Sequence, residues 1–541
     1  NYFVPLLLFP LSAAADPPAE LVFSTYIGGY GIEWVLDIEF DDSLNIYFSG
    51  ATSSADFPFT APDSIDANVY SGWFAKANLQ TGALVFARAL AAAPIEVQSN
   101  IDLDAQGAIL LAGSTASADF PVSGGYQGAI AGGIDGYVVS YSANGDTLKY
   151  STFLGGARSD HIRGMEVDPA SGDIFVCGWT TSADFPQSGA PTQMPDADGD
   201  LFVALLTSDL QNLVYSRLYG GSGADSAVAL ELTDDGTLVV AITTTSSDFV
   251  TVDTLGGADL QSADGVVLWL SASDGALQRS TRIGGGAYED LRTVRVDSAG
   301  RALIAGLTES PDLPVKNAYQ AFYAGDGDGW LAFFEADGDS LIYSGYLGGS
   351  RREFIIAAGV DNAGYAYVTG PYGSGDVPTW RAFQDYKDGT VDPIAAKVNL
   401  LAPSVAYVSY CGGWWYQGSS SGRSAPGGEF CFGGITKSTD YPLAKAFQTE
   451  RIGPVYDAFL SCVAPVSGAE TCCRVAGDVG HDGSVNISDA TQLISYIFSD
   501  ATPPVCPSEA DANADAGVNI ADVTALLAWI FSGGPAPMCP L

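Results

Sequence analysis

One unit of about 64 residues recurs seven times along the chain, and that period constrains the fold more than any other feature. Three markers return in phase. An apolar-alternating run ending in Gly-Gly closes at Gly29, Gly156, Gly221, Gly285, Gly349 and Gly413, with the degenerate copy FARALAA in second place. A turn of the SADFP type begins at Ser54, Ser117, Ser182, Ser246, Ser310, Ser374 and Ser438, and successive starts lie 63, 65, 64, 64, 64 and 64 residues apart. An acid opens a third run at Asp135, Asp200, Asp264, Asp328, Asp392 and Asp457, with Ser71 in the first copy. Between the markers, stretches such as VRVDSAGRALIAGLT read as two short extended runs joined by an Asp-x-x-Gly hairpin.

Each unit thus reads as four short strands punctuated by glycine turns, and such a unit can bury its two faces only against its neighbours. Seven units stacked side by side must close into a ring. The predicted fold is all-β, a seven-bladed β-propeller of four-stranded blades over residues 21–465. Helical periodicity of useful length begins only near residue 488. The run LVFSTYIGG from Leu21 is of the kind that elsewhere follows an acid-led strand, and the last acid-led strand, Asp457 to Val463, has no such successor. Pairing the two predicts one blade built from both ends of the repeat region, with no open edge left. In these motifs the chain resembles the bacterial seven-bladed β-propeller repeat family, whose units run YLGG…D…G…YV.G.T.S.DFP. The resemblance spans roughly 21–465 and implies an exported propeller, with no common reaction.

Beyond residue 466 the sequence changes character. GDVGHDGSVNISDATQLISYIF and ADANADAGVNIADVTALLAWIF are duplicates offset by 33 residues, from Asp478 to Asp511. Each opens with oxygen donors spaced around a twelve-residue loop and continues into an apolar-periodic helix. Calcium takes six to eight oxygens from such a curled loop. The predicted donors are Asp478, Asp482, the Ser484 carbonyl, Asn486 and Asp489 in the first loop. In the second they are Asp511, Asn513, Asp515, the Gly517 carbonyl, Asn519 and Asp522. A pair of polar turns with Asp489 and Asp522 as plain helix caps is the simpler reading. The duplicated spacing is similar to a type I dockerin over about 474–533, which implies calcium as the bound ion. Two departures stand out: Gly480 removes a side-chain donor at the third loop position, and Ala516 replaces the glycine preferred at the sixth. The resemblance implies partner-reading positions at Ile487–Ser488 and Ile520–Ala521. Leu493, Ile494, Ile497, Leu526, Leu527 and Ile530 are expected to form the helix–helix core.

Charge and cysteine usage narrow the setting. Asp plus Glu number 63 against 22 Lys plus Arg, a net charge of −41 that would repel a nucleic-acid backbone or an anionic membrane surface. Eight cysteines occur without a C-x-x-C pair, and only two histidines accompany them, so disulfides in an oxidising compartment are expected rather than zinc. Cys411 with Cys431 is the predicted bridge. Residues 1–20 carry an apolar run and an A-x-A stretch, read as an apolar tail or the remnant of a secretory signal, and too short and proline-broken to span a bilayer.

No nucleophile-elbow, zincin or phosphate-loop pattern appears. Asp56, Asp119, Asp184, Asp248, Asp312, Asp376 and Asp440 recur in every SADFP-type turn, and a residue present in all blades is expected to serve the blade through side-chain-to-backbone bonds. His161 is unique to its copy and is read as a solvent-facing histidine rather than a general base. The seventh unit adds Trp414, Trp415, Tyr416 and Arg423. Clustered aromatics can stack on sugar rings, which makes these four a candidate ligand site; alternatively they fill the core of the closing blade. The expectation is a non-enzymatic, secreted or cell-surface scaffold or adhesion protein. It would be attached, or self-assembled into a filament, through its dockerin-like module (466–541) and N-terminal tail. The module's partner would be a cohesin-like protein or another copy of the chain. The alternative is a carbohydrate-binding or carbohydrate-active component docked to a larger extracellular complex, with polysaccharide as ligand.

Overall fold

The computed structural model describes residues 19–465 apart from 62, 64, 66–68, 95–98, 189–197, 251–252 and 257–261, together with 477, 479, 485, 487–499, 512–513 and 520–532. The apolar segment 1–18 and Cys472, Cys473, Cys506 and Cys539 lie outside the described residues. By internal contacts the chain divides into Leu21–Ala464 and a second unit of Asn1–Glu20 with Pro465–Leu541.

The first unit consists of seven sheets, each with the order inner strand, second, third and outer strand. Blade three is representative: Asp160–Val167, Ile174–Thr180, Asp200–Leu206 and Leu213–Tyr219, antiparallel throughout. Blade four gains a fifth strand, Asp253–Gly256, laid parallel outside its outer strand. Inner strands neighbour one another in turn, and the last, Gln417–Ser424, returns to the first, Glu33–Phe40. Blade seven is assembled from both ends of the repeat region, in the order Ala19–Ile27, Asp457–Pro465, Phe430–Thr436, Gln417–Ser424. Ser24 and Ala444 exchange backbone bonds of 2.7 and 3.1 Å, and Tyr26 Oη donates to the Ser438 carbonyl at 3.0 Å. The predicted closure holds.

Burial follows the strand period. One face of each blade packs on the preceding blade and the other on the next, so every apolar cluster mixes two consecutive units. Phe23, Ile27, Val35, Phe48, Trp73 and Leu460 share the cluster between blades seven and one. Phe175, Val203, Leu238 and Leu268 share that between blades three and four. Because no unit covers its own faces, the ring is the smallest structure that leaves none exposed.

A bulge shapes the inner strands of blades one, three, four, five and seven, where the register slips past Leu36, Arg163, Val228, Arg292 and Ser420. The extra residue pushes backbone against the second strand and turns a side chain toward the axis. In blades one, three, five and seven a glycine stands opposite: a Cβ at Gly178 would lie 1.8 Å from the His161 carbonyl, and at Gly306 2.0 Å from that of Asp290.

The predicted Cys411–Cys431 bridge does not form. Cys431 is bonded to Cys462, its direct partner across the third strand of blade seven, and Cys411 is a buried free thiol. Cys411 lies at the end of blade six's outer strand, Ser404–Tyr410, and so belongs to the neighbouring sheet. Spacing along the sequence could not show that the repeat boundary falls between them.

In the second unit α1 (Ile487–Ser499) and α2 (Ile520–Ser532) pack together through Ala490, Leu493, Val523 and Leu526, with Ile497, Leu527 and Ile530 against them. Ile494 departs from the predicted core and is 40% exposed. No helix among the described residues is long and apolar enough to cross a membrane.

Candidate functional site

The recurring acids build the blades. At the start of five of the seven inner strands, or just before it, a buried carboxylate ties the Gly-Gly loop to the second strand: Glu33, Asp160, Asp225, Glu289 and Glu353. Asp160 accepts from Thr180 Oγ1, from Ser182 Oγ at 2.8 Å and from the Gly156 amide at 2.6 Å. Glu289 accepts from Thr308 at 2.8 Å and Gly285 at 3.1 Å. Burial pushes Glu33 up to about 7 and raises Asp160 and Glu289 against the pull of those donors. Blade seven substitutes the neutral Gln417.

The turn aspartates also serve the blade, though they reach beyond their own turn. Asp56, Asp184, Asp248, Asp312, Asp376 and Asp440 each accept the amide of the residue after the Gly-Gly pair, at 2.8–3.2 Å. Asp119 follows the degenerate FARALAA copy, and its amide is held by Ser117 Oγ at 3.2 Å.

Blade seven separates the four residues expected to act together. Trp414 and Trp415, 73% and 57% exposed, sit with Tyr416 on the loop entering the blade and fill no core. Lys437 Nζ stands 5.6 Å over the Trp415 ring and 5.9 Å over Tyr456, and Tyr456 meets Tyr416 edge-on at 6.0 Å. Arg423 lies elsewhere, on the inner strand facing the axis.

That axis is a channel of about 590 Å³ lined by inner-strand side chains. One column of the repeat contributes Glu39, Asp102, Glu166, Glu231, Arg295, Gly359 and Arg423, which pair with equivalent residues of their second strands. Five of them stitch blades together. Arg423 reaches Glu39 at 2.9 Å across the seam between blades seven and one, and Arg295 reaches Glu231 at 3.2 Å and the Ala358 carbonyl at 3.1 Å. Asp102 accepts the Val167 amide at 2.8 Å, and Asp37, one step along, accepts Ile101 at 3.0 Å. Burial and mutual repulsion push Glu39 up to about 7 and Asp102 to about 6, and hold Glu166 well above its ordinary value. Burial alone would lower Arg423, but the surrounding carboxylates outweigh it and keep it firmly protonated. Sequence reading passed over this column; it is where the repeat ceases to be uniform, running acid, acid, acid, acid, Arg, Gly, Arg. Among the described residues, no group of three or more His, Cys, Asp or Glu is placed to hold a metal ion.

Of the predicted calcium donors, Asn513, Asp489 and Asp522 are described, and the other eight positions lie outside the described residues. Asp489 and Asp522 are buried in the first turns of α1 and α2, and the Asn513 amide donates to Asp522 Oδ1 at 3.2 Å. That bond folds the start of the second loop back onto its twelfth position, the closure a calcium loop requires. A buried carboxylate at the twelfth position of each duplicated loop fits a divalent cation in that loop, whose charge would offset the carboxylate's desolvation. Ile487 and Ile520, the expected partner-reading positions, are both exposed.

Residues 476–528 match the family model of the dockerin type I domain. No curated protein matches the chain. Among solved structures it is similar to a protein of unknown function from Dyadobacter fermentans, at 11% identity and TM-score 0.42, covering 83% of this chain and 100% of that one. It is also similar to Raptor from Chaetomium thermophilum, at 8% identity and TM-score 0.44, over 84% of this chain and 30% of that one. A further likeness is to a polysaccharide lyase of family 25, an ulvan lyase, at 10% identity and TM-score 0.38, over 78% and 92% of the two chains. At these scores and identities they bear on neither activity nor substrate. Type I dockerins bind calcium, dock to cohesin-bearing proteins and occur outside the cell or on its surface; residues 476–528 are such a dockerin domain, following a seven-bladed propeller in the same chain.

Proposed function

We propose that the chain is a non-enzymatic extracellular binding or scaffolding component, held in a larger assembly by its dockerin. The observation that carries this reading is the use made of the acids. The strand-opening and turn carboxylates hold backbone amides and hydroxyls of their own loops, and most axial acids join blade to blade. Carboxylates committed to such bonds are poorly placed to exchange protons with a substrate. The test is a panel of acidic and neutral polysaccharides incubated with the full chain and assayed for new ends; turnover abolished by a single axial substitution would overturn the reading. Docking is tested by mixing with a type I cohesin, with and without chelator. Self-assembly into a filament is tested by electron microscopy of the purified chain with calcium.

A carbohydrate-binding role is favoured by one observation, the exposure of Trp414 and Trp415 side by side on a loop anchored by Asp440 and Ser438. Flat rings held by fixed backbone suit the apolar faces of sugars. Loss of polysaccharide retention in Trp414→Ala and Trp415→Ala would support this role.

A further inference from the structure

The charged groups on the channel wall find partners almost one by one. Arg423 pairs with Glu39, Arg295 with Glu231 and Arg292 with Asp290. Asp37 and Asp102 are each held by two backbone amides. Glu166 makes no ion pair or hydrogen bond among the described residues, and burial with the neighbouring carboxylates holds it well above its ordinary value. Arg163 is the one cation of the wall that makes no ion pair or hydrogen bond among the described residues; its Nε is sealed from solvent without an acceptor, and the carboxylate whose field it feels, Asp290, is bonded to Arg292.

The repeat explains why. Arg163 and Arg292 are the bulge residues of blades three and five, both turned into the channel, with Val228 of blade four between them. Two places before its bulge, blade five carries Asp290, opposite Leu307, and this carboxylate neutralises Arg292. The equivalent residue of blade three is His161, opposite Trp179. Its ring lies stacked on that indole at 4.3 Å, and burial beside Arg163 lowers its pKa to about 4, so it is uncharged at neutral pH. Blade three therefore has the guanidinium of blade five without a counter-charge of its own, and shares only the field of Asp290, which is bonded to Arg292.

We propose that Arg163, assisted by Arg292, binds a small oxyanion — carboxylate, sulfate or phosphate — in the axial channel. A guanidinium offers parallel N–H donors that match two oxygens of such a group. The channel volume suits a ligand the size of one or two sugar rings rather than a macromolecule. The site is independent of the dockerin and of the exposed tryptophans, and it accounts for an unpaired cation kept in a chain of net charge −41.

The full chain is titrated with sodium glucuronate, sodium sulfate and sodium phosphate at constant ionic strength, by calorimetry and by thermal unfolding. At least one salt is expected to bind saturably, and which one separates a uronic sugar from an inorganic anion. Arg163→Gln should weaken that binding roughly tenfold or more, as expected for loss of a charge-assisted pair. His161→Asp, which restores the pairing of blade five, should do the same. Arg381→Gln, a guanidinium lying over Trp380 away from the channel, should leave it unchanged. Without added anion, Arg163→Gln should melt no lower than the parent, because it removes an uncompensated half-buried charge. Failure of all three salts to saturate, undiminished binding by Arg163→Gln, or a clear loss of its anion-free stability would each overturn the proposal.

Discussion

The closure of blade seven makes a prediction that separates this ring from an open arc. In blade five, Tyr346 Oη accepts the Leu313 amide at 3.2 Å and donates to the Ser310 carbonyl at 2.9 Å. In blade six, Tyr410 does the same with Val377 and Ser374, at 3.3 and 2.9 Å. Both tyrosines lie on the outer strands of their own blades. The equivalent pair of bonds in blade seven, to Tyr441 and Ser438 at 3.0 Å each, is made by Tyr26, more than four hundred residues away in sequence. Each phenol is buried. Substitution by Phe therefore leaves one amide and one carbonyl unsatisfied while keeping the ring's packing. An unsatisfied buried polar group costs about 1–3 kcal/mol, so each Tyr→Phe change should cost about 2–6 kcal/mol. The expected result is that Tyr26→Phe, Tyr346→Phe and Tyr410→Phe lower the urea midpoint of the propeller transition by similar amounts at unchanged slope. Hydrogen exchange supplies the local reading: the Tyr441 amide should lose protection in Tyr26→Phe and in neither of the others. A Tyr26→Phe variant as stable as the parent, beside two weakened ones, would refute the closure.

Replacing Cys431 and Cys462 together by alanine removes a constraint on a loop of 31 residues and should cost about 3–4 kcal/mol, read by chemical denaturation, whereas Cys411→Ala should leave the thiol–disulfide pattern of the other two unchanged. Stability should fall as pH rises from about 4 to about 8. Burial raises Glu33, Glu39 and Asp328 to about 7 and Asp102 and Asp392 to about 6, so the folded state holds these protons more tightly than the unfolded chain. Their contribution is complete below the unfolded carboxyl pKa and lost as pH passes through the raised values; a melting temperature rising steadily across that window would contradict this. Gly306→Ala should lower the melting temperature by several degrees, since the added methyl meets the Asp290 carbonyl at 2.0 Å, while Ala at Gly236, with a φ of +81° but nothing within 4 Å, should cost about 1 kcal/mol. Chelation, or Asp489→Ala with Asp522→Ala, should melt α1 and α2 and abolish cohesin binding while circular dichroism of the sheets persists.

Much of this architecture was legible along the chain because its causes are local and repeated. The period, the Gly-Gly loops and the acid-led strands each state a turn or a buried face, and seven copies leave a ring as the arrangement that covers them all. The unmatched LVFSTYIGG at one end and the unmatched Asp457–Val463 at the other were enough to predict how it closes. The duplicated segment after the propeller was equally plain, and residues 476–528 match the dockerin type I domain that its spacing resembles. What the linear order could not settle was which residues of different blades meet. Cys411 forms no disulfide among the described residues although a cysteine lies twenty positions on, because the blade boundary runs between them and strand register brings Cys462 to Cys431 instead. Arg423 stands close in sequence to Trp414 and Trp415, yet a strand entering the ring turns it to the axis and leaves the indoles on a loop. The unpaired Arg163 is visible only where seven inner strands converge, since the charge it lacks is defined by comparison with Asp290 two blades away. A repeat determines the fold through what its copies share; the channel is made by what they do not, and only closure of the ring brings those differences into contact.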